Sequence, residues 1–260
     1  MSVHSKPEDT PSEPKGKISR FELALYGLCR FLAVGVSRLY YPGPVIGKSH
    51  LPKQGPYILA PVHRSYIDWL IAARVTKRRL RYIAKGEIWK YHSIGRFLEL
   101  LGGFPVQRGT PDRVAMQRAL KVLASGEPLV IFPEGTRRAG AVVENIHDGA
   151  AYLALRARVP LVPLGIAGAE DAMPRGARFP RPARVRVVVG EPLGLTSEDP
   201  LPEIDRPRIS RSRAQMLSRE LSASMQAAFA EAQAARATVG LGSHGAGRRR
   251  AEVVDDSTDD

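Results

Sequence analysis

The stretch Tyr57-Ile58-Leu59-Ala60-Pro61-Val62-His63-Arg64-Ser65-Tyr66-Ile67-Asp68-Trp69-Leu70-Ile71-Ala72-Ala73 reads as strand, loop and helix in one pass. A short apolar run ends at Val62 and a helix-like pattern opens near Ser65, so His63 falls in a loop at the carboxyl end of a strand. Ser65 with Asp68 has the spacing of a capping box. On a regular helix, residues five apart point about 140° from each other, so His63 and Asp68 would not share a face. With His63 in the preceding loop, the chain can fold back and bring the imidazole to the carboxylate. Such a carboxylate fixes the tautomer and leaves the second ring nitrogen free to take a proton, which is general-base chemistry without a protein nucleophile. The plain alternative is Asp68 as a helix-capping carboxylate.

Strand and helix patterns alternate along the middle of the chain. Strands are expected at 57–61, 80–84, 103–107, 129–132, 161–166 and 184–190, and helices at 66–77, 93–101, 111–125, 148–158 and 209–235. This alternation predicts an α/β fold with a central, largely parallel sheet flanked by helices. Ligands then gather at the carboxyl ends of strands.

The ends of the chain differ from its middle. Residues 1–17 read as a disordered leader, and 18–44 as a membrane-interface helical segment closed by Pro42-Gly43-Pro44. Within the 18–41 helix, Arg20, Arg30 and Arg38 fall in an arc of about 80° opposite a broad Leu, Phe, Ala and Val face. That pattern suits a helix lying in a bilayer interface, with a helix packed on the domain as the alternative. No uninterrupted run of eighteen apolar residues occurs, which argues against a conventional spanning helix. The domain itself is expected at 45–235, followed by a disordered charged tail at 236–260 that holds Arg248-Arg249-Arg250 and four aspartates.

A formal net charge of +13 calls for an anionic partner: a nucleic acid, an anionic membrane or a phosphorylated or coenzyme-bearing substrate. No basic stripe interleaved with aromatics and no nucleic-acid reader motif accompanies it, so a nucleic acid is not expected. The single cysteine, Cys29, forms no intrachain disulfide and suits a reducing compartment. The polar start of the chain is not a secretory signal.

Three further stretches carry chemistry. Gly102-Gly103-Phe104-Pro105-Val106-Gln107-Arg108 delivers Arg108 at a strand end, where a guanidinium can grip phosphate through two parallel hydrogen bonds. Phe132-Pro133-Glu134-Gly135-Thr136-Arg137 follows the buried run Leu129-Val130-Ile131 and places an acid, a hydroxyl and a guanidinium in one turn. Glu134 could meet a substrate hydroxyl or orient Arg137, or the two could form a surface ion pair of little worth. Val159-Pro160-Leu161-Val162-Pro163-Leu164 could wall an acyl or coenzyme pocket or simply pack in the core. Its prolines suggest an edge strand. His147 and Asp148 read as a loop and a helix start, and no metal set is expected.

In this order the four stretches resemble the boxes of the glycerolipid acyltransferase family, specifically the bacterial 1-acylglycerol-3-phosphate acyltransferases, over residues 45–195. His63, Ser65 and Asp68 match the His-x4-Asp box, and 103–108 match Gly-x-Pro-Val-x-Arg. Residues 132–137 match Phe-Pro-Glu-Gly-Thr-Arg without change, and 159–164 match the proline box. Val62 stands where the family commonly has asparagine, and Arg138 where it commonly has serine. The resemblance implies His63 and Asp68 as the catalytic pair, with Ser65, Lys85, Arg108, Glu134, Gly135, Thr136 and Arg137 as substrate-binding residues. It implies a lysophospholipid acceptor, acyl-CoA or acyl carrier protein as donor, no cofactor, and a place on the cytoplasmic face of the plasma membrane, peripheral or monotopic. Within the family, another lysophospholipid, a glycolipid or a lyso-aminolipid is the competing acceptor. A lipid-binding scaffold without activity is the competing class, and the intact His63 and Asp68 argue against it.

Overall fold

The structure, a computed structural model, describes residues 20–86, 90, 95–96, 99, 102–106, 113–174, 176–194 and 209–248. Its strands are β1 (Val45–Ile46), β2 (Ile58–Pro61), β3 (Arg81–Lys85), β4 (Gly103–Val106), β5 (Leu129–Val130), β6 (Leu161–Ala167) and β7 (Arg186–Val189). They form a single sheet in the order β1-β7-β6-β2-β5-β3-β4. All neighbours run parallel except β6 and β7. The expected α/β architecture is therefore the observed one. Strands expected at six places occur at those places, and β1, only two residues long, carries too little pattern to be read from sequence.

The helices are α1 (Arg20–Tyr40), α2 (Asp68–Ala72), α3 (Arg113–Ala124), α4 (Gly149–Ala157), α5 (Ala169–Ala172) and α6 (Arg211–Arg248). They pack in two groups: α1 lies on α2, while α3 lies on α4 and the long α6 rests against β6, β7 and α4. The expected helix at 66–77 shortens to five residues. Arg74 and Val75 bond back to Ile71 and Ala72 three residues earlier, which tightens the last turn and ends it. The expected helix at 93–101 falls mostly outside the described residues, as do 1–19 and 249–260. The expectation of an unstructured tail from 236 is corrected for 236–248, which continue α6. Arg236 anchors that continuation: its Nε donates to the Arg184 carbonyl at 3.1 Å and its guanidinium pairs with Asp171.

The proline stretch needs a second correction. Residues 159–164 are all buried, and β6 lies inside the sheet between β2 and β7. Pro163 is tolerated there because the ladder with β7 stops at it: Gly190 N–H donates to Pro163 O at 3.0 Å, and proline has no N–H to return the bond. These residues build the core and line no open wall.

One face of α1 docks through Val34, Ser37 and Arg30, whose Nη2 donates to the carbonyls of Ala73 (3.0 Å) and Thr76. Arg30 therefore points into the domain, which corrects the picture of three arginines along a bilayer surface, while Arg38 is exposed. Arg74 ties down the end of α1 by donating to Tyr41 O at 2.7 Å and Gly43 O at 2.6 Å. Phe21, Leu28, Phe31, Leu32, Val36 and Leu39 are exposed and span about 140° of the opposite side at 100° per residue. Residues Leu23–Tyr40 are long and apolar enough to cross a membrane, by length and composition.

Gly165 in β6 lets α6 lie directly on the sheet, since a Cβ there would meet the carbonyl oxygen of Ala228 at 2.2 Å. Both partners are backbone, so neither can rotate away. Gly165→Ala is expected to lower stability by about 1–3 kcal/mol, read as a shift in the urea midpoint at unchanged slope.

Candidate functional site

The sheet order puts the carboxyl ends of β2, β5, β3 and β4 side by side. These ends carry, in turn, the His63 loop, the 132–137 loop, Lys85 and the stretch leading to Arg108. Lys85 closes β3, with Val106 as its register partner. Arg108 lies outside the described residues.

His63 leaves β2 with its side chain 18% exposed, and its Nδ1 lies 2.9 Å from Asp68 Oδ2. The same oxygen accepts the backbone N–H groups of Arg64 and Ser65, each at 2.7 Å. An ionised carboxylate can only accept, so a neutral ring paired with it holds its proton on Nδ1 and presents the Nε2 lone pair. Asp68 is fully buried, and Ile67, not Ser65, is the cap residue of α2. Half of the expected capping box forms: the acid reaches back to the Ser65 N–H. The other half does not, because the Ser65 hydroxyl instead lies 3.5 Å from the Met173 carbonyl. Ser65 is 1% exposed, and its contacts here are within the protein.

Glu134 lies behind the histidine loop. It is fully buried, and both oxygens are engaged: Oε1 accepts from Arg64 Nη1 at 2.7 Å, and Oε2 accepts from Arg64 Nη1 at 2.9 Å and from His63 N–H at 2.7 Å. All these contacts are within the protein, and the guanidinium paired with Glu134 is that of Arg64. Glu134 fastens the β5 loop to the β2 loop, as does the Arg138 N–H donating to His63 O at 2.8 Å.

Gly135 turns the chain at φ +65°, and the His147 ring lies where a Cβ would stand, 2.9 Å away. Thr136 is exposed. The Arg137 guanidinium carbon lies 3.2 Å from the Tyr66 ring centroid, a stacked contact that holds its plane beside the histidine loop. The Phe132 ring packs on His63 with centroids 4.4 Å apart.

Sequence reasoning missed Arg64, Gln226 and Phe229. Arg64 also donates to Val142 O at 3.0 Å and sits 5.0 Å from the Phe229 ring. Gln226 accepts from Val143 N–H at 2.7 Å and donates to Ala141 O at 3.1 Å, so α6 grips the segment after the 132–137 turn. Nothing in the local sequence marks Arg64 for this role. The partner acid lies 70 residues on.

Residues 44–167 match the acyltransferase family model. This part of the chain is similar to acyltransferase domains. Its curated relatives include 1-acyl-sn-glycerol-3-phosphate acyltransferase of Bacillus subtilis, 29% identical over 62% of this chain and 79% of the relative. They also include the alpha form of that enzyme from Mus musculus, 32% identical over 60% of this chain and 57% of the relative. The crystal structure of the 1-acyl-sn-glycerophosphate (LPA) acyltransferase from Thermotoga maritima shares the fold: TM-score 0.61, 20% identity, 80% of this chain and 83% of that one covered. All four motif stretches fall within the matched residues.

Breaking the buried Arg64–Glu134 pair from one side is expected to cost about 3–5 kcal/mol, because it strands a charge in the core. Arg64→Met and Glu134→Met should each lower the denaturant midpoint sharply, and the double variant should recover much of the loss in a double-mutant cycle.

Proposed function

We propose that this chain transfers a fatty acyl group from a thioester, acyl-CoA or acyl carrier protein, to the free hydroxyl of lysophosphatidic acid, giving phosphatidic acid. The observation that carries the reading is the His63–Asp68 contact, with the acid restricted to accepting and Nε2 left to act as base. The relatives' named activity supports the choice of acceptor.

In this scheme, His63 Nε2 takes the proton from the acceptor hydroxyl as its oxygen attacks the thioester carbonyl carbon. The tetrahedral intermediate collapses, the C–S bond breaks, and the imidazolium returns its proton to the departing thiolate. Asp68 holds the ring and stabilises the cation that forms transiently. The acceptor phosphate is assigned to Arg137 with Arg108 and Lys85, and Thr136 offers a further exposed donor. Stacking on Tyr66 pre-orients the Arg137 plane, so less freedom is lost on binding. Holding both reactants beside His63 supplies much of the rate. The step as written uses no cofactor and no metal.

The exposed apolar face of α1 is assigned to the interface of an anionic membrane at the cytoplasmic face, where both acceptor and product reside.

Thiol release from palmitoyl-CoA with 1-acylglycerol-3-phosphate tests the reading. Release should depend on the acceptor, and His63→Ala should lower kcat about 10²–10⁴-fold with little change in KM. An alanine variant as fast as the wild type would sink the base assignment. Release only with a different lysolipid would move the acceptor and leave the chemistry. Arg137→Lys should keep the charge but lose the planar stacked group. It is therefore expected to raise the acceptor KM more than it lowers kcat, whereas an unchanged KM would remove Arg137 from the phosphate site.

A further inference from the structure

We infer that the loop at residues 176–184 is a second lipid-contacting element, an aromatic wedge flanked by arginines that seats the catalytic end of the sheet on an anionic bilayer. The inference rests on the membrane reading of α1 and adds to it a second contact and an orientation.

Between Met173 and Val185 the sequence holds Arg175, Arg178, Arg181 and Arg184 and no acidic residue. Phe179 is 81% exposed, and Arg178, Pro180, Arg181 and Pro182 around it are exposed as well. One exposed phenylalanine is ordinary by itself. Here two prolines stiffen the backbone that presents the ring, and the loop is tied down at both ends. Arg181 N–H donates to Ala172 O at 2.9 Å, and Ala183 N–H donates to Tyr40 O at 3.1 Å. The nearby acids are engaged, Asp171 with Arg236 and Glu170 with the Gly168 N–H, while Arg181 Nε donates to the Asp171 carbonyl at 3.0 Å and keeps its charge on the loop.

Position completes the argument. Tyr40 ends α1 and its carbonyl accepts the Ala183 N–H, so the loop carrying Phe179 joins α1 at the end where Val36, Leu39 and Tyr40 are exposed. The chain enters the loop from Met173, whose carbonyl lies 3.5 Å from the Ser65 hydroxyl, at the end of the sheet that bears His63. An amphipathic helix alone fixes depth in the interface but leaves rotation about its axis loosely set. A second contact off that axis fixes the rotation. An aromatic ring at headgroup level with cations on either side matches the polarity profile of an anionic leaflet.

Flotation of the full-length chain with phosphatidylcholine vesicles, with and without phosphatidylglycerol, tests the inference. Arg178→Ala and Arg181→Ala should each weaken partition onto the anionic vesicles about five-fold and leave partition onto neutral vesicles unchanged. In a parallel measurement, F179W should show tryptophan emission quenched by brominated acyl chains beyond the wild-type background from Trp69 and Trp89. Thermal unfolding of all three variants at the wild-type midpoint confirms that folding is intact. The inference is overturned if the arginine variants partition like the wild type and F179W is quenched no more than the wild type. Loss of binding in Phe31→Glu/Leu39→Glu alongside that result would leave the α1 reading standing without the loop. A wild type that floats with neither vesicle would remove both.

Discussion

Two carboxylates, Asp68 and Glu134, are fully buried beneath the loop that carries His63, and the rest of the site follows from how their charge is met. Burying an ionised carboxylate is costly unless it is paired and hydrogen-bonded. Asp68 is met by His63 and two backbone N–H groups, all on one oxygen. Glu134 is met by Arg64 and by the His63 N–H. The two networks share a three-residue segment, so the backbone around His63 is held from both sides at once. Such a segment cannot shift without leaving an anion unpaired. The position of the imidazole is therefore set by electrostatics within the protein before any substrate arrives.

That arrangement requires β2 and β5 to be neighbours, which a parallel sheet with crossovers in both directions provides. It requires a tight turn after Glu134, which Gly135 supplies at positive φ with His147 occupying the space a side chain would need. It also requires a cover that excludes water from Arg64. Phe229 and Gln226 of α6 form that cover, although they lie far from the boxes in sequence. Gly165, where α6 touches the sheet backbone, sets how closely the cover sits. A helix remote from the chemistry in sequence thus belongs to the support of the histidine loop.

The fold was legible because period-two and apolar runs alternating with helical patterns leave little choice of architecture. The His63–Asp68 pair was legible because a loop histidine followed by an acid in the first helical turn can close back on itself, although the same acid also reads as a helix cap. Roles decided across the sheet were not legible. Glu134 reads as a ligand-facing acid in a Gly-rich turn, and nothing local reveals that Arg64 will claim it. Pro163 reads as an edge marker, because the rule counts missing N–H groups and cannot see that the adjacent ladder stops at that residue. Arg30 reads as part of a basic surface stripe, because helical spacing gives its angle but not which side the domain occupies.

The last of these misreadings bears on how the helix and the site work together. With Arg30 donating to the carbonyls of Ala73 and Thr76, α1 is clamped to the turn that follows α2. Helix α2 begins with Asp68, the residue that orients His63. The exposed face of α1 and the orienting carboxylate are therefore separated by one short helix and its turn, with Arg74 securing the far end through Tyr41 and Gly43. A surface pressed against α1 would bear on the same short segment that sets the imidazole. The apolar face and the histidine loop are joined through these hydrogen bonds, so whatever fixes the first also fixes the direction in which the second opens.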